Sequence, residues 1–271
     1  MADDGAAASF ETSANVAGVS IREAPATAFP RGGADIGWRA GRGDQMSGET
    51  CDDAEVIRAW NRNAGAWTAA VRAGAVESRR LVTDAAILAA VLSHSPALAL
   101  DVGCGEGWLA RALDACGVEV VGVDAAPGLV EAARKLGGGD FRMMSYEDIA
   151  AGKLDLSVDA IVCNFSLIGK ESVDGLIVRA PRLLAPKGAL IVQTLHPLVA
   201  GGDAAYRDGW RDGSWAGIEG AFTDPAPWYF RTIESWMRLF AESGFLATEI
   251  IEPIHPHTQK PASIIFIARA D

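Results

Sequence analysis

Cysteine is scarce in this chain: Cys51, Cys104, Cys116 and Cys163 are the four among 271 residues. No two of them stand as C-x-x-C, so neither a zinc knuckle nor a thioredoxin-like pair is suggested, and no metal is expected. So sparse a set reads as reduced thiols in a cytoplasmic protein, not as a disulfide framework. Basic residues are in deficit, 24 Lys and Arg against 35 Asp and Glu, for a net charge of −11. That balance disfavours a nucleic-acid polyanion as partner, although a local basic patch is compatible with it. No apolar run approaches the roughly 20 residues of a membrane span, so no membrane partner is expected. The N-terminus lacks the basic stretch and apolar core of a secretory signal.

Glycine is plentiful, with 30 residues, and one cluster organises the chain. An apolar run, Ala97 to Leu100, closes with Asp101-Val102 and breaks into Gly103-Cys104-Gly105-Glu106-Gly107. Apolar residues then resume at helical spacing from Trp108 to Leu113. The pattern is a buried strand, a glycine turn and a helix start. Glycine admits positive φ and lets a ligand approach the backbone, and the helix start beyond offers unpaired N–H groups. A nucleotide-like ligand suits such a turn. The dinucleotide fingerprint wants a third glycine where this chain has Trp108. No Lys-Ser/Thr pair follows, which excludes a P-loop. A second strand, Val118 to Val123, ends in Asp124, 21 residues beyond Gly103. That interval suits a carboxylate that accepts from a ribose diol.

The run Leu100-Asp101-Val102-Gly103-Cys104-Gly105-Glu106-Gly107, with Val121-Gly122-Val123-Asp124 after it, resembles motif I and the companion acidic strand of class I S-adenosylmethionine-dependent methyltransferases. Later motifs agree in order and spacing from about residue 96 onward. The resemblance implies an α/β fold: a Rossmann-like seven-stranded sheet, mostly parallel with an antiparallel last strand, and helices on both faces. It implies S-adenosyl-L-methionine as cofactor and S-adenosyl-L-homocysteine as product. Asp124, with Ala125 beside it, would bind the ribose. Gly103, Cys104, Gly105 and Gly107 would lie against the methionine part, and Asp101 would anchor the turn or the amino group. Ser145 and Tyr146 stand where the family contacts adenine, although the usual acidic residue is missing there. Asn164 and Phe165, at the end of the strand Val158 to Cys163, match motif IV. That motif lacks the paired prolines of enzymes that methylate nucleic-acid amino groups, and it lacks the Pro-Cys of cytosine C5 enzymes. Both absences favour a small-molecule acceptor.

The remaining chain divides around this domain. Residues 1–45 are rich in Ala, Gly, Asp, Ser and Thr without periodicity and read as a disordered extension, and Met46 is a candidate biological start. Residues 46–95 read as a helical cap, with helices over Cys51 to Gly74 and Glu77 to Leu92. Trp60 and Trp67 on the first face either core or ligand, and Arg79-Arg80 either meets a ligand carboxylate or lies on a solvated face. Residues 96–271 form the methyltransferase-like domain. Its strands include Asp140 to Met144, Ala189 to Thr194, Phe245 to Ile251 and Ser263 to Ala268. Its helices include Pro127 to Leu136, Ser172 to Leu184 and a segment capped by Thr232. Within it, the aromatic-rich stretch 198–228 reads as a lid or pocket wall.

If the cofactor is S-adenosylmethionine, the reaction is in-line methyl transfer to oxygen or nitrogen of a small molecule. Proximity would supply much of the rate. His196 is the first candidate general base, since it follows strand Ala189 to Thr194 directly, and His255 is the second. Each has a structural alternative, a hydrogen bond in a loop for His196 and a proline-fixed turn for His255. Two other functions stay open: a fold relative that binds the cofactor without methyl transfer, and a protein or RNA methyltransferase. Oligomeric state is not encoded in any feature read here.

Overall fold

The computed structural model describes residues 19–21, 51–202 and 204–270. The proposed start at Met46 lies outside them, as does most of the stretch 1–45. The strand β1 (Val19–Ile21) falls inside that stretch, so three residues expected in a disordered extension have a place in the sheet.

Two helices precede the main sheet. Helix α1 (Asp53–Arg72) is capped by Asp52, whose side chain accepts from the Glu55 N–H at 2.8 Å. The next segment is not one helix, as its apolar stripe suggests. It begins as a wider π turn, Arg79–Thr83, and continues as α2 (Asp84–Leu92). The alternation of strand and helix then follows: β2 (Leu98–Val102), α3 (Trp108–Asp114), β3 (Glu119–Asp124), α4 (Pro127–Leu136), β4 (Asp140–Met143) and α5 (Tyr146–Ala150). After these come β5 (Val158–Asn164), α6 (Glu171–Arg179), β6 (Leu184–Thr194) and α7 (Pro197–Ala200). The chain ends with a ribbon of β7 (Gly209–Arg211) and β8 (Trp228–Phe230), then α8 (Ile233–Glu242), β9 (Ala247–Ile251) and β10 (Ile264–Arg269).

The sheet order is β1-β9-β10-β6-β5-β2-β3-β4. Strands β2 to β6 are parallel, and β10 runs antiparallel between β6 and β9. This is the seven-stranded, mostly parallel sheet expected, with β1 added at one edge. Strand β6 begins five residues earlier than its apolar run, taking in Ala185-Pro186-Lys187-Gly188. Pairing there shifts register between Val158 and Ala160, and an irregularity is where a strand tolerates proline.

Alternation along the strands feeds two cores. Leu100, Val121, Ile161, Leu190 and Phe266 face α6 and α8, where they meet Val173, Leu176, Trp236 and Phe240. Ala99, Val120, Ala160, Ile191 and Ile267 face α2, α3 and α4, where they meet Ile87, Leu109, Leu113 and Val130. Residues on both faces are apolar because both are covered. The chain moves from β2 outward to β3 and β4, then returns to β5 on the other side of β2. A crevice beyond the carboxyl ends of β2 and β5 is the expected ligand position in such a sheet.

Candidate functional site

One cavity of about 200 Å³ opens at that position. Its floor comes from the residues that follow four adjacent strands: Gly103 to Glu106, Asp124 to Ala126, Tyr146, and Asn164 to Ser166. Its wall comes from α1, from the start of the π turn and from the segment between β7 and β8. There Trp60, Trp67, Arg79, Trp215 and Ile218 face inward.

The glycines of the turn serve different ends. Gly103, Gly105 and Gly107 all have positive φ, at 75°, 57° and 83°. A β-carbon on Gly103 would meet Ser166 Cβ at 2.3 Å, and one on Gly107 would meet Phe141 at 2.8 Å. Those two glycines permit close packing of protein on protein. Gly105 is different: a β-carbon there would find only Trp67 Nε1, at 3.9 Å. Gly105 is thus the glycine with open space in front of it, and Gly107 is not on the cavity wall. Glu106 turns inward, buried between Arg72 at 3.0 Å and Arg111 at 2.7 Å, and ties the turn to α1 and α3.

Two carboxylates lie behind the turn. Asp124 accepts from the N–H of Gly105 at 2.9 Å and of Ala126 at 2.8 Å, one bond to each oxygen. Burial raises its pKa, and the backbone N–H groups counter that rise. Asp101 is fully enclosed. Burial, helped by the charge of Asp124, pushes its pKa up to about 7. Its Oδ2 is buried without a hydrogen-bond partner.

Beyond β5, Phe165 has φ 53°, a left-handed conformation unusual for a bulky side chain, and its N–H donates to Gln193 O at 2.8 Å. Gln193 is fully buried. Its Nε2 donates to Asn164 Oδ1 at 2.7 Å and to Thr83 O at 3.0 Å, and Ser263 Oγ donates to its Oε1 at 3.1 Å. Ser166 Oγ donates to Val102 O, and Tyr146 Oη donates to Ser166 O. Asn164, Phe165 and Tyr146 are thus set by polar contacts that reach back to Thr83 in the π turn and to Ser263 just before β10. Only strained backbone at Phe165 and the buried Gln193 reveal them, and neither has a signal in the sequence.

Four sequence expectations change. His196 does not reach the cavity, because Leu195 faces it and the next residue points the other way. The His196 ring is buried, with Nε2 at 2.6 Å from Glu252 Oε1. His255, in the β9–β10 connection, lies outside the cavity lining and accepts at Nδ1 from the His257 N–H at 3.3 Å. Ser145 caps α5 instead of facing a ligand: its Oγ accepts from the Asp148 N–H while Asp148 Oδ2 accepts from the Ser145 N–H. Asp101 sits behind the wall and does not line it.

A family model described as a methyltransferase domain matches residues 100–192. Residues 100–192 are thus similar to a methyltransferase domain. Among curated relatives, a ubiquinone biosynthesis O-methyltransferase of Xanthomonas oryzae is 37% identical over 114 residues, 40% of this chain and 47% of that protein. The chain thus spans about half the length of the curated relatives it matches. Among solved structures, the 1,6-didemethyltoxoflavin-N1-methyltransferase of Burkholderia thailandensis aligns with TM-score 0.58 and 15% identity, covering 83% of this chain and 92% of that one. An S-adenosylmethionine-dependent methyltransferase of Mesorhizobium loti aligns with TM-score 0.50 and 22% identity, covering 67% and 95%. These two likenesses bear on the fold.

The cavity fits S-adenosylmethionine on its own geometry. Space stands open before Gly105, each Asp124 oxygen keeps a lone pair after its one backbone bond, and Asp101 Oδ2 is a buried acceptor without a donor. Its aromatic wall answers the question that the sequence left open. Trp60 and Trp67 meet edge to face at 5.3 Å, and Trp60 meets Trp215 at 5.7 Å, all three facing the cavity. The apolar face of α1 therefore splits: Val56 and Ala59 pack on Trp228 and Phe230, while the tryptophans face ligand space. Arg79 also lines the cavity, stacked over Trp108 at 4.7 Å and bonded to Asp84 at 2.9 Å. Arg80 is exposed. The segment expected as a lid is pinned by Asn63, a buried residue of α1. Asn63 Oδ1 accepts from the Thr223 N–H at 2.8 Å, and its Nδ2 donates to Thr223 O at 2.9 Å. Trp215 stacks on Phe222 at 4.5 Å beside that clamp.

Proposed function

We propose that the chain is a methyltransferase that moves a methyl group from S-adenosylmethionine to an oxygen of a small, flat, mainly apolar acceptor. The observation that carries this reading is one cavity with an open glycine turn and Asp124 on one side, Asp101 buried behind that turn, and three tryptophans on the other side. The Xanthomonas relatives, named for O-methylation in ubiquinone biosynthesis, support oxygen as the receiving atom.

When bound, S-adenosylmethionine supplies a methyl group already activated on a sulfonium. The chain's residues then have three tasks. Asp124 would accept from the ribose hydroxyls while its backbone bonds keep the carboxylate aimed. Asp101 Oδ2 would accept from the ammonium of the methionine part, directly or through water, which favours its charged form. Trp60, Trp67 and Trp215 would hold the acceptor ring and exclude water, and orientation of this kind supplies much of the rate in such displacements. A proton leaving the acceptor would pass to water, because no histidine is among the residues that line the cavity. Cys104, Gly103, Ala125, Tyr146, Asn164 and Phe165 complete the cofactor side.

The test has two stages. Titration calorimetry with S-adenosylmethionine, S-adenosylhomocysteine and NAD should show saturable binding of the first two alone. Labelled methyl from the cofactor should then move to a member of a panel of hydroxylated aromatic compounds. Binding of NAD alone would reject the cofactor assignment. Binding of S-adenosylmethionine with label retained only on protein or RNA would reject the small-molecule acceptor.

A further inference from the structure

Just outside the cavity lining, the loop between β9 and β10 presents His255-Pro256-His257 toward Glu77, in the link from α1 to the π turn. One ring nitrogen of each histidine and a Glu77 oxygen all lie within 4.8 Å of one another. His257 Nδ1 stands 3.6 Å from Glu77 Oε1, close to the spacing of two ligands on one metal ion. The two imidazole rings are 5.4 Å apart and steeply inclined. The loop is held in this shape independently of any ion. His255 donates its backbone N–H to Lys260 O at 2.8 Å, the Gln259 N–H donates back to His255 O at 2.9 Å, and Pro253 O accepts from the Ala262 N–H at 2.8 Å. His255 is buried, and the long 3.3 Å contact at Nδ1 marks a lone pair on the His257 side of its ring.

We propose that Glu77, His255 and His257 form a binding site for a divalent transition-metal ion of the zinc type. Two imidazoles and one carboxylate are borderline ligands that suit zinc, cobalt or nickel and not magnesium, which wants oxygen donors and keeps its waters. Three ligands on one side leave further positions to water. The site joins two parts of the chain that the sheet does not connect directly. Glu77 sits between Val76 and Ser78, and both of those line the cavity together with Arg79. A bound ion would therefore fasten the cavity rim to the β9–β10 loop. The site stands whether or not the methyl-transfer reading holds, because it uses no residue of the cavity.

The test uses the full chain, stripped with a chelator, in a Cys116→Ser background that removes the exposed thiol as a competing ligand. Zinc titrated by calorimetry should bind with one-to-one stoichiometry, and the melting temperature should rise as the site fills. Magnesium should produce neither effect. His257→Ala and Glu77→Gln, both at exposed positions, should each weaken zinc binding by tenfold or more, with the metal-free melting temperature almost unchanged. His94→Ala, at a histidine outside the cluster, should leave binding as it was. Absence of zinc binding would overturn the site. Zinc binding of equal strength in the His257→Ala and Glu77→Gln variants would overturn it too, since the ion would then sit elsewhere.

Discussion

Asp101 concentrates the physical chemistry of the site in one carboxyl group. Its folded pKa of about 7 lies well above the ordinary 3.8, because burial and Asp124 disfavour its charge. The folded state therefore holds a proton that the unfolded state has released between about pH 4 and pH 7. By linkage, stability falls as pH rises through that window, by at most about 4 kcal/mol for a shift of this size. Urea unfolding at a series of pH values should show the decline, and Asp101→Asn, neutral at every pH, should flatten it. A cofactor ammonium beside Asp101 would favour the charged form, so affinity for S-adenosylhomocysteine should rise between pH 5 and pH 8. A flat affinity profile would remove Asp101 from cofactor recognition. Asp124→Ala removes an acceptor from two backbone N–H groups, each charge-assisted bond contributing about 1.5–3 kcal/mol. Calorimetry should record at least a tenfold weaker S-adenosylhomocysteine complex. His196→Ala has a different expectation from that of a catalytic base. It should lower the urea midpoint, by about 1–3 kcal/mol in stability, through loss of the Glu252 contact in a buried place. Turnover per folded molecule should hardly change, and a collapse of turnover at unchanged stability would restore a catalytic role.

At the level of elements, the sequence shows the helices and strands well where a single period governs them. The helix from Pro127 to Leu136 and the Thr232 cap of α8 stand where the sequence puts them, because proline and threonine mark helix starts by local chemistry. The π turn at Arg79–Thr83 and the early start of β6 escape such reading. Both depend on partners distant in sequence: Gln193 donates to Thr83 O, and β5 pairs with the first residues of β6. The side that a strand-end residue faces is also beyond a sequence pattern, which is why Leu195 and not His196 meets the cavity. Tryptophans at helical spacing give no hint whether they face core or ligand until α1 is docked. The clamp between α1 and the β7–β8 connection is testable at this scale. Asn63→Ala would leave the Thr223 N–H without its partner, while Thr223 O keeps the Trp215 indole N–H at 2.9 Å, so the cost is about 1–3 kcal/mol for one unmade bond if the N–H stays out of water. Hydrogen exchange around residues 215–224 should quicken, and acceptor binding should weaken more than binding of S-adenosylhomocysteine.

For the molecule as a whole, sequence and structure agree on the parallel sheet, the antiparallel last strand and the crevice at the strand ends. Those follow from strand order and from burial of both sheet faces. The strand at Val19–Ile21 does not follow from its composition, because a three-residue strand takes its place from the edge of β9 that it joins. Among the described residues no helix is long and apolar enough to cross a membrane. Ligand binding should register globally. At a concentration of S-adenosylhomocysteine one hundred times its dissociation constant, stability rises by about 2.7 kcal/mol. In a domain of this size that corresponds to a melting temperature about 5–10 °C higher.

The cavity also carries a timetable. Its floor is drawn from residues 103 to 166, a contiguous length that leaves the ribosome early. Its wall needs Asn63 to meet Thr223, 160 residues further along. Loops that long close late, and contacts across them form after local ones. A nascent chain released at about residue 200 would already hold the glycine turn and both carboxylates, with α1 lacking its partner and Trp60 and Trp67 turned toward bulk water. Synthesis therefore assembles the half that would hold the methyl donor before the half that would select the recipient.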